Sequence, residues 1–221
     1  MIALNIRTNV QTVFCFPPIT GFGAVFRGLA EHLSCACYSF DIVPDIDWID
    51  YSIAAIKQVQ AQGPYILLGY SAGGNYAYSV AAAMQSRGEP VRALILIDSI
   101  RVTEAAVLSE REKQNIIEQA LHESQLLTTL DKDRVSLTMS AYLDFILQHP
   151  NQSALTAELF CLSAEDRDGL SLPSKGFSRD WTASTQGRVT CYQGEGNHFQ
   201  VLTQPQLAHN AEVIQGILKK L

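Results

Sequence analysis

The sequence predicts an α/β fold with a mostly parallel central sheet that is flanked by helices. Short, continuous apolar runs alternate along the chain with longer segments of helical periodicity, which is typical of parallel strands that are buried on both faces. A chain of 221 residues with 47% hydrophobic residues is long enough to bury one sizeable core. No repeat, low-complexity tract or Pro/Gly/Ser-rich linker divides it, so residues 1–221 are expected to form a single domain.

Six apolar runs have the length and composition of buried strands. They cover residues 12–16, 36–40, 65–69, 93–97, 158–162 and 189–192. Helical periodicity predicts helices over residues 22–33, 51–60, 72–87 and 206–221. The last of these places Leu207, Ala211, Ile214 and Leu218 on one face, so we expect it to dock on the sheet.

Residues 101–156 form an unusually long connection between two predicted strands. They contain two helical patterns, at 109–130 and 134–148. Connections of this length with their own helices are usually functional. We therefore expect a helical lid insertion above the C-terminal ends of the strands.

Charge and hydropathy exclude several partners. The net charge is -6 and no run of Lys or Arg occurs, so neither nucleic acid nor an anionic membrane surface is an expected partner. No stretch approaches the roughly 18 apolar residues of a spanning helix, and the N-terminus lacks a secretion signal pattern. These observations predict a soluble protein without a membrane association.

The five cysteines suit small core positions better than a metal site. Cys35 and Cys37 have no second pair of Cys or His at zinc-site spacing, so no metal is expected. An odd number of cysteines in apolar runs favours a reducing, cytoplasmic compartment.

The strongest chemical signal is Gly69-Tyr70-Ser71-Ala72-Gly73, which directly follows one predicted strand and directly precedes a long Ala-rich helix. Glycines two positions before and after the serine let the helix pass close to the strand. Such a turn exposes the serine hydroxyl at the helix N-terminus, where a developing oxyanion is favoured. The alternative is a Gly-rich turn in which Ser71 only caps the helix.

A serine nucleophile needs a base, normally a histidine that is oriented by a carboxylate. His198 lies in a glycine-bearing loop directly after the last predicted strand, which makes it the expected base. The competing histidines belong either to predicted surface helices (His32 and His209) or to the insertion (His122 and His149).

Two positions offer a carboxylate in the required chain order. Asp98 ends a very apolar strand, where a carboxylate must be paired, and we favour it as the acid. Glu165 and Asp166 follow the next strand but belong to a charge cluster typical of a solvated loop. Asp98 could also merely cap a following helix.

The turn after the first predicted strand can supply a second oxyanion donor. Prolines at positions 17 and 18 lack an N–H, so the first available donors are the amides of Ile19 and Thr20. Ile19, together with Ala72 after the nucleophile, is expected to hold the oxyanion. The alternative is a turn with a folding role only.

Four segments together resemble a known family. They read FCFPPITGFG (14–23), GPYILLGYSAGG (63–74), IDS (97–99) and GEGNH (194–198). The combination resembles the type I thioesterase domains that end nonribosomal peptide synthetases, in particular the surfactin and fengycin releasing domains of the α/β-hydrolase superfamily. The insertion at 101–156 does not align with a family motif, so no lid residue is assigned.

The resemblance implies an α/β-hydrolase fold with a helical lid over a hydrophobic acyl pocket. It implies that Ser71 attacks a thioester on the phosphopantetheine arm of a peptidyl or acyl carrier protein, and that water or an internal nucleophile resolves the acyl-enzyme by hydrolysis or macrocyclisation. It supports Asp98 as the acid and Ile19 and Ala72 as oxyanion donors. The enzyme is expected to be a monomer with no cofactor of its own.

The sequence is also compatible with three other functions. A free-standing, proofreading (type II) thioesterase would use the same residues, and the sequence does not distinguish it from an excised terminal domain. A small-molecule carboxylesterase is disfavoured because residues 16–23 lack an HGGG-type run. A non-catalytic binding protein on a hydrolase scaffold would not need a serine, an acid and a histidine in this order.

Overall fold

The computed structural model describes residues 1–105, 108–124, 132–152, 154–165 and 175–221. The strands in these ranges are β1 (Ile2–Asn5), β2 (Thr12–Phe16), β3 (Ala36–Ser39), β4 (Tyr65–Tyr70), β5 (Val91–Ile97), β6 (Arg101–Val102), β7 (Glu158–Ser163), β8 (Phe177–Ser178) and β9 (Val189–Gln193). The α-helices in the same ranges are α1 (Arg27–His32), α2 (Trp48–Val59), α3 (Ala72–Ser86), α4 (Glu110–Glu123), α5 (Lys132–Gln148) and α6 (Gln206–Leu218).

Within the described ranges, seven strands form one sheet in the order β1-β3-β2-β4-β5-β7-β9, and every pairing except that of β1 with β3 is parallel. All six predicted strands are present in it, which confirms the predicted α/β class. The edge strand β1 was not predicted, because it is short, has no buried residue and therefore lacks a continuous apolar run.

Helices cover both faces of the sheet. The buried cluster on one face contains side chains of α2, α3 and α5, and the cluster on the other face contains those of α1 and α6. The predicted apolar face of α6 is confirmed, because Leu207, Ala211, Ile214 and Leu218 all belong to the second cluster. Burial on both faces explains why the central strands are apolar along their whole length.

Helix boundaries differ from the predicted ones by up to a few residues, and two of these differences have a clear local cause. Helix α2 begins three residues earlier than predicted, because the Asp47 side chain accepts a hydrogen bond from the Asp50 N–H and caps it. The segment predicted as one helix over 22–33 starts as a 3-10 turn, Gly23–Phe26, and becomes α-helical only at Arg27. A side chain at Gly23 would collide with Ser39, so the chain is held against β3 there.

The long insertion contains both expected helices. Helix α4 begins at a capping box in which Ser109 and Glu112 exchange side-chain and backbone hydrogen bonds. The predicted extension of this helix over residues 125–130 lies outside the described residues. Ile117, Ala120 and Leu121 of α4 pack on Met139 of α5, so the two helices form one unit.

The insertion begins with a strand of a small second sheet. In it β6 pairs antiparallel with β8, with Arg101 opposite Ser178 and Val102 opposite Phe177. Neither of these two-residue strands was predicted, because a pairing across so many residues leaves no local pattern. Across the described ranges, the structure contains no helix that is both long and apolar enough to cross a membrane.

Candidate active site

Ser71 occupies a strained turn between β4 and α3. Its φ is 56° and its ψ is -124°, a conformation that is costly for a residue with a side chain. The turn requires glycine on both sides: a Cβ at Gly69 would lie 2.3 Å from the Gly73 carbonyl oxygen, and one at Gly73 would lie 2.1 Å from that of Phe16. The Ser71 side chain makes no capping hydrogen bond, so the alternative of an N-capping serine is wrong.

Asp98 follows β5 and is almost fully buried. Its Oδ1 accepts hydrogen bonds from the Ala164 N–H at 3.0 Å and from Arg179 Nη1 at 3.3 Å. Its Oδ2 accepts one from His198 Nδ1 at 2.6 Å. No helix follows Asp98 directly, since the chain continues through Ser99 into β6, so the alternative of a helix-capping carboxylate is wrong.

The pKa of the Asp98 carboxyl reflects opposing effects. Burial raises it, but the hydrogen bond and charge of His198, the Ala164 N–H and the charge of Arg179 together hold the pKa below its ordinary value. Asp98 is therefore an ionised, fully engaged hydrogen-bond acceptor at neutral pH.

His198 lies in the loop after β9 and is also buried. Its backbone carbonyl accepts a hydrogen bond from the Tyr70 hydroxyl at 2.5 Å, and its ring lies against Tyr70 and Phe199 at centroid distances of 5.5 and 5.0 Å. Because Nδ1 donates to Asp98, Nε2 is the basic nitrogen of the neutral ring.

Ser71 and His198 line the same two cavities. Among the described residues, no hydrogen bond within 3.5 Å engages the Ser71 hydroxyl. Hydrogen bonds between a nucleophile and its base are commonly loose without substrate and tighten in the complex.

The other histidines and carboxylates of the sequence analysis lie elsewhere. The Nδ1 atoms of His32 and His149 interact with backbone carbonyls of their own helices. His122 and His209 are solvent-exposed beside glutamates. Glu165 borders a separate polar cavity, and Asp166 lies outside the described residues.

Ile19 and Ala72 both line the first of the two cavities that contain Ser71, and Ile19 also lines the second. Within the described part of the chain, neither amide donates a hydrogen bond to a backbone or side-chain acceptor. Ala72 is the first residue of α3, so its N–H has no partner within the helix. Two unpaired donors beside a serine can stabilise an oxyanion.

The first cavity, termed the apolar cavity, contains about 690 Å³ of empty space, including space that is open to solvent. Its walls come from the turn after β2, from the start of α3 and from α4, α5 and β8, and they are mostly aliphatic and aromatic. The side chains that form these walls include Ile19, Ile100, Val102, Ile116, Leu143, Ile146, Leu147, Phe177 and Phe199. Such a cavity suits an uncharged, apolar substrate group.

The second cavity, termed the polar cleft, reaches Ser71 from another side. It shares Ile19, Ser71 and His198 with the apolar cavity. Its further lining combines Pro18, Val25, Tyr70, Ala120 and Phe199 with polar side chains, so it is the more polar of the two cavities. The polar side chains are those of Thr20, Glu123, Ser124, Asn197, Gln200 and Thr203. Ser71 thus lies where an apolar and a polar cavity meet.

The cysteines take no part in this site. Cys15, Cys35, Cys37 and Cys161 are buried and Cys191 is exposed, and all five are free thiols. The described residues contain no group of three or more His, Cys, Asp or Glu side chains that could hold a metal ion.

Sequence reasoning missed two residues that contact the Asp98–His198 pair. Tyr70 stands directly before Ser71, but nothing in the sequence indicates that its hydroxyl reaches the His198 carbonyl. Arg179 follows β8, whose pairing with β6 has no local signal.

Comparisons with known proteins give a consistent result. The family model described as "Thioesterase domain" matches residues 11–218. A component of the mycosubtilin synthase of Bacillus subtilis is 31% identical over 218 residues, which cover 94% of this chain and 8% of that protein. Bacitracin synthase 3 from Bacillus licheniformis is 31% identical over 226 residues, which cover 95% of this chain and 3% of that protein. The chain therefore spans less than a tenth of either relative.

Among solved structures, the surfactin thioesterase domain SrfTE is similar to this chain with a TM-score of 0.83 and 24% identity. The match covers 94% of this chain and 91% of that domain. That structure concerns the cyclization of the lipopeptide antibiotic surfactin. The similarity confirms the predicted α/β-hydrolase fold.

Proposed function

The chain belongs to the thioesterase domain family, and we propose that it releases a peptidyl or acyl chain from the phosphopantetheine arm of a carrier protein through an acyl-Ser71 intermediate. The observation that carries the proposal is the Ser71 turn, because a strained serine without a capping bond lines the same cavities as a histidine paired to a buried carboxylate.

The first half-reaction transfers the acyl group to the enzyme. Ser71 Oγ attacks the thioester carbonyl carbon while His198 Nε2 accepts its proton. Asp98 holds the imidazole through Nδ1 and stabilises the imidazolium. The carbon–sulfur bond then breaks, and the departing sulfur takes the proton from His198, leaving an acyl ester on Ser71.

The backbone amides of Ile19 and Ala72 stabilise the tetrahedral oxyanion. Both lack another acceptor among the described residues, which supports this role. One such donor contributes on the order of 3 kcal/mol to transition-state stabilisation.

The second half-reaction frees the product. A nucleophile, either water or a hydroxyl or amine of the acyl chain itself, gives its proton to His198 and attacks the ester carbon. The carbon–oxygen bond to Ser71 breaks and Ser71 regains a proton. Water gives a linear acid and an internal nucleophile gives a ring, and the space that α4 and α5 leave above the ester governs which of them reaches it.

The two cavities support the proposed substrate, and the named relatives support the proposed partner. The apolar cavity suits the acyl chain, and the polar cleft suits the phosphopantetheine arm. The named relatives are peptide synthases that are far longer than this chain, so we assign a carrier protein as the partner and residues 1–221 as one domain with a lid at 101–156. Five free thiols favour a reducing, cytoplasmic setting.

A fluorophosphonate probe and a peptidyl thioester test the proposal. The wild-type chain is expected to gain one probe adduct on Ser71 and to hydrolyse or cyclise the thioester. Ser71→Ala is expected to lose both, whereas Ser86→Ala, an exposed serine of the same helix, is expected to retain both. Thioester turnover by Ser71→Ala, or a wild-type chain that takes the probe without cleaving any thioester, would contradict the proposal.

A further inference from the structure

Arg179 forms an ion pair with the carboxylate that holds His198. Its Nη1 lies 3.3 Å from Asp98 Oδ1, while Oδ2 of the same carboxylate lies 2.6 Å from His198 Nδ1. The Asp98 side chain is only 2% exposed, and that of Arg179 is 35% exposed. The pairing therefore joins a buried acid to a cation that reaches it from the edge of the site.

The fold holds Arg179 in place from both sides. The preceding residues of β8 pair with β6, and Phe177 of β8 lines the apolar cavity. Two residues after Arg179, the buried Trp181 donates its Nε1–H to the Ser99 carbonyl at 3.2 Å. The backbone that carries Arg179 is therefore fixed on both sides, within reach of the carboxylate.

The contacts divide the two carboxylate oxygens between different partners. Oδ1 accepts from the Ala164 N–H and from Arg179, and Oδ2 accepts from His198. Occupying Oδ1 fixes the carboxylate plane, so Oδ2 points at the imidazole. The guanidinium charge also offsets part of the negative potential that the carboxylate exerts on the ring.

Other ionisable groups lie near the pair. The Tyr70 phenol from β4 stays neutral, because burial and then the charge of Asp98 raise its pKa. Glu123 from α4 lines the polar cleft with His198, and Glu165, after β7, lies on the far side of the His198 loop. Asp180, beside Arg179, directs its carboxylate to the Thr182 N–H. Among the described residues, Arg179 is the cation that contacts Asp98.

We propose that Arg179 is a positioning residue of this thioesterase, which orients the Asp98 carboxylate towards His198 and sets the lower pH limit of catalysis. The inference rests on the proposed roles of Ser71, Asp98 and His198. Without the cation, Oδ1 keeps only the Ala164 N–H among the described residues, and the guanidinium charge no longer offsets the negative potential of the carboxylate at the ring, so the reaction is expected to weaken first at the acid end of the pH range.

The test compares Arg179→Ala, Arg179→Gln and Arg179→Lys with Arg188→Ala, which removes an exposed arginine paired with Glu158. The readout is the rate of fluorophosphonate labelling of Ser71 between pH 5 and 9, together with kcat and KM for the peptidyl thioester. On the acid side of the profile, the labelling rate falls as the pH is lowered, and this fall is termed the acid limb. For Arg179→Ala and Arg179→Gln, the midpoint of the acid limb is expected to move to a higher pH by about 0.5 to 1 pH unit. For the same variants kcat is expected to fall about tenfold at pH 7 with little change in KM.

Arg179→Lys retains the charge without the planar fork, so it is expected to recover the acid limb but not the full kcat. Arg188→Ala is expected to match the wild type in both readouts. The inference would be overturned if the midpoint of the acid limb were the same in all three Arg179 variants as in the wild type. It would also be overturned if the variants lost the same fraction of the labelling rate at every pH. Labelling does not need a thioester, so a failure of the thioesterase proposal would be seen separately.

Discussion

Asp98 Oδ2 lies 2.6 Å from His198 Nδ1, although the two residues are 100 positions apart in the chain. The sheet order explains the contact: Asp98 follows β5, His198 follows β9, and β7 lies between them. Because the three strands are parallel, their C-terminal ends lie at one edge of the sheet, and Ser71 follows β4 at the same edge.

Replacing Asp98 by Asn tests the proposed acid. The amide nitrogen or oxygen would face His198 Nδ1 without a charge to orient the ring, so kcat is expected to fall by about 10³- to 10⁴-fold. Steady-state thioester hydrolysis measures it. Glu165→Gln is the matched control and is expected to stay within a few-fold of the wild type, because the hydrogen bond from Glu165 to the Gly196 carbonyl of the His198 loop comes from its backbone N–H, which the substitution keeps. Equal losses in both variants would refute the assignment.

The same carboxyl is expected to give a pH-dependent contribution to stability. Its pKa is lower in the folded chain than in the unfolded chain, so its contribution is complete above the unfolded pKa of about 3.9 and is lost as pH falls through the folded pKa. Urea unfolding of wild type and Asp98→Asn at several pH values from 5 to 3 measures this. The wild-type free energy minus that of the variant is expected to decrease below about pH 4. A difference that stays constant or grows over this range would contradict the lowered pKa.

Tyr70→Phe removes the hydroxyl that donates to the His198 carbonyl. Loss of this bond loosens the His198 loop, and kcat is expected to fall about fivefold, since a hydrogen bond contributes roughly 1 kcal/mol. Tyr78→Phe removes a comparable bond from a buried tyrosine to the Ser184 carbonyl, away from the site. It is expected to lower the melting temperature without the loss in kcat. Full activity of Tyr70→Phe would show that the bond does not position the histidine.

Two glycine-to-alanine substitutions test whether the turn around Ser71 requires glycine. Gly73→Ala places a Cβ 2.1 Å from the Phe16 carbonyl oxygen, and is expected to destabilise the fold by about 1–3 kcal/mol and to displace Ser71. Gly216→Ala, in α6, meets no atom within 4 Å and is expected to stabilise by up to about 1 kcal/mol. Chemical denaturation and fluorophosphonate labelling measure both. A stable, fully labelled Gly73→Ala chain would contradict the close approach.

Much of the fold could be predicted from the sequence, because its signals are local. Six strands, the docking face of α6 and both helices of the insertion follow from apolar periodicity. The strands β1, β6 and β8 could not be predicted this way: β1 is a half-exposed edge, and β6 and β8 are two residues each and depend on each other across a long stretch of chain.

The sequence by itself determined the turn at Ser71, since strand, glycines and helix are contiguous and their steric requirements are met within a few residues. It also limited the acid to a few carboxylates. The tertiary structure alone decided that Asp98 contacts His198, that Tyr70 and Arg179 contact this pair, and that an apolar and a polar cavity meet at Ser71. The physical reason is that these contacts join strands and loops distant in the chain, and their distances depend on strand order and helix packing rather than on any neighbouring residue.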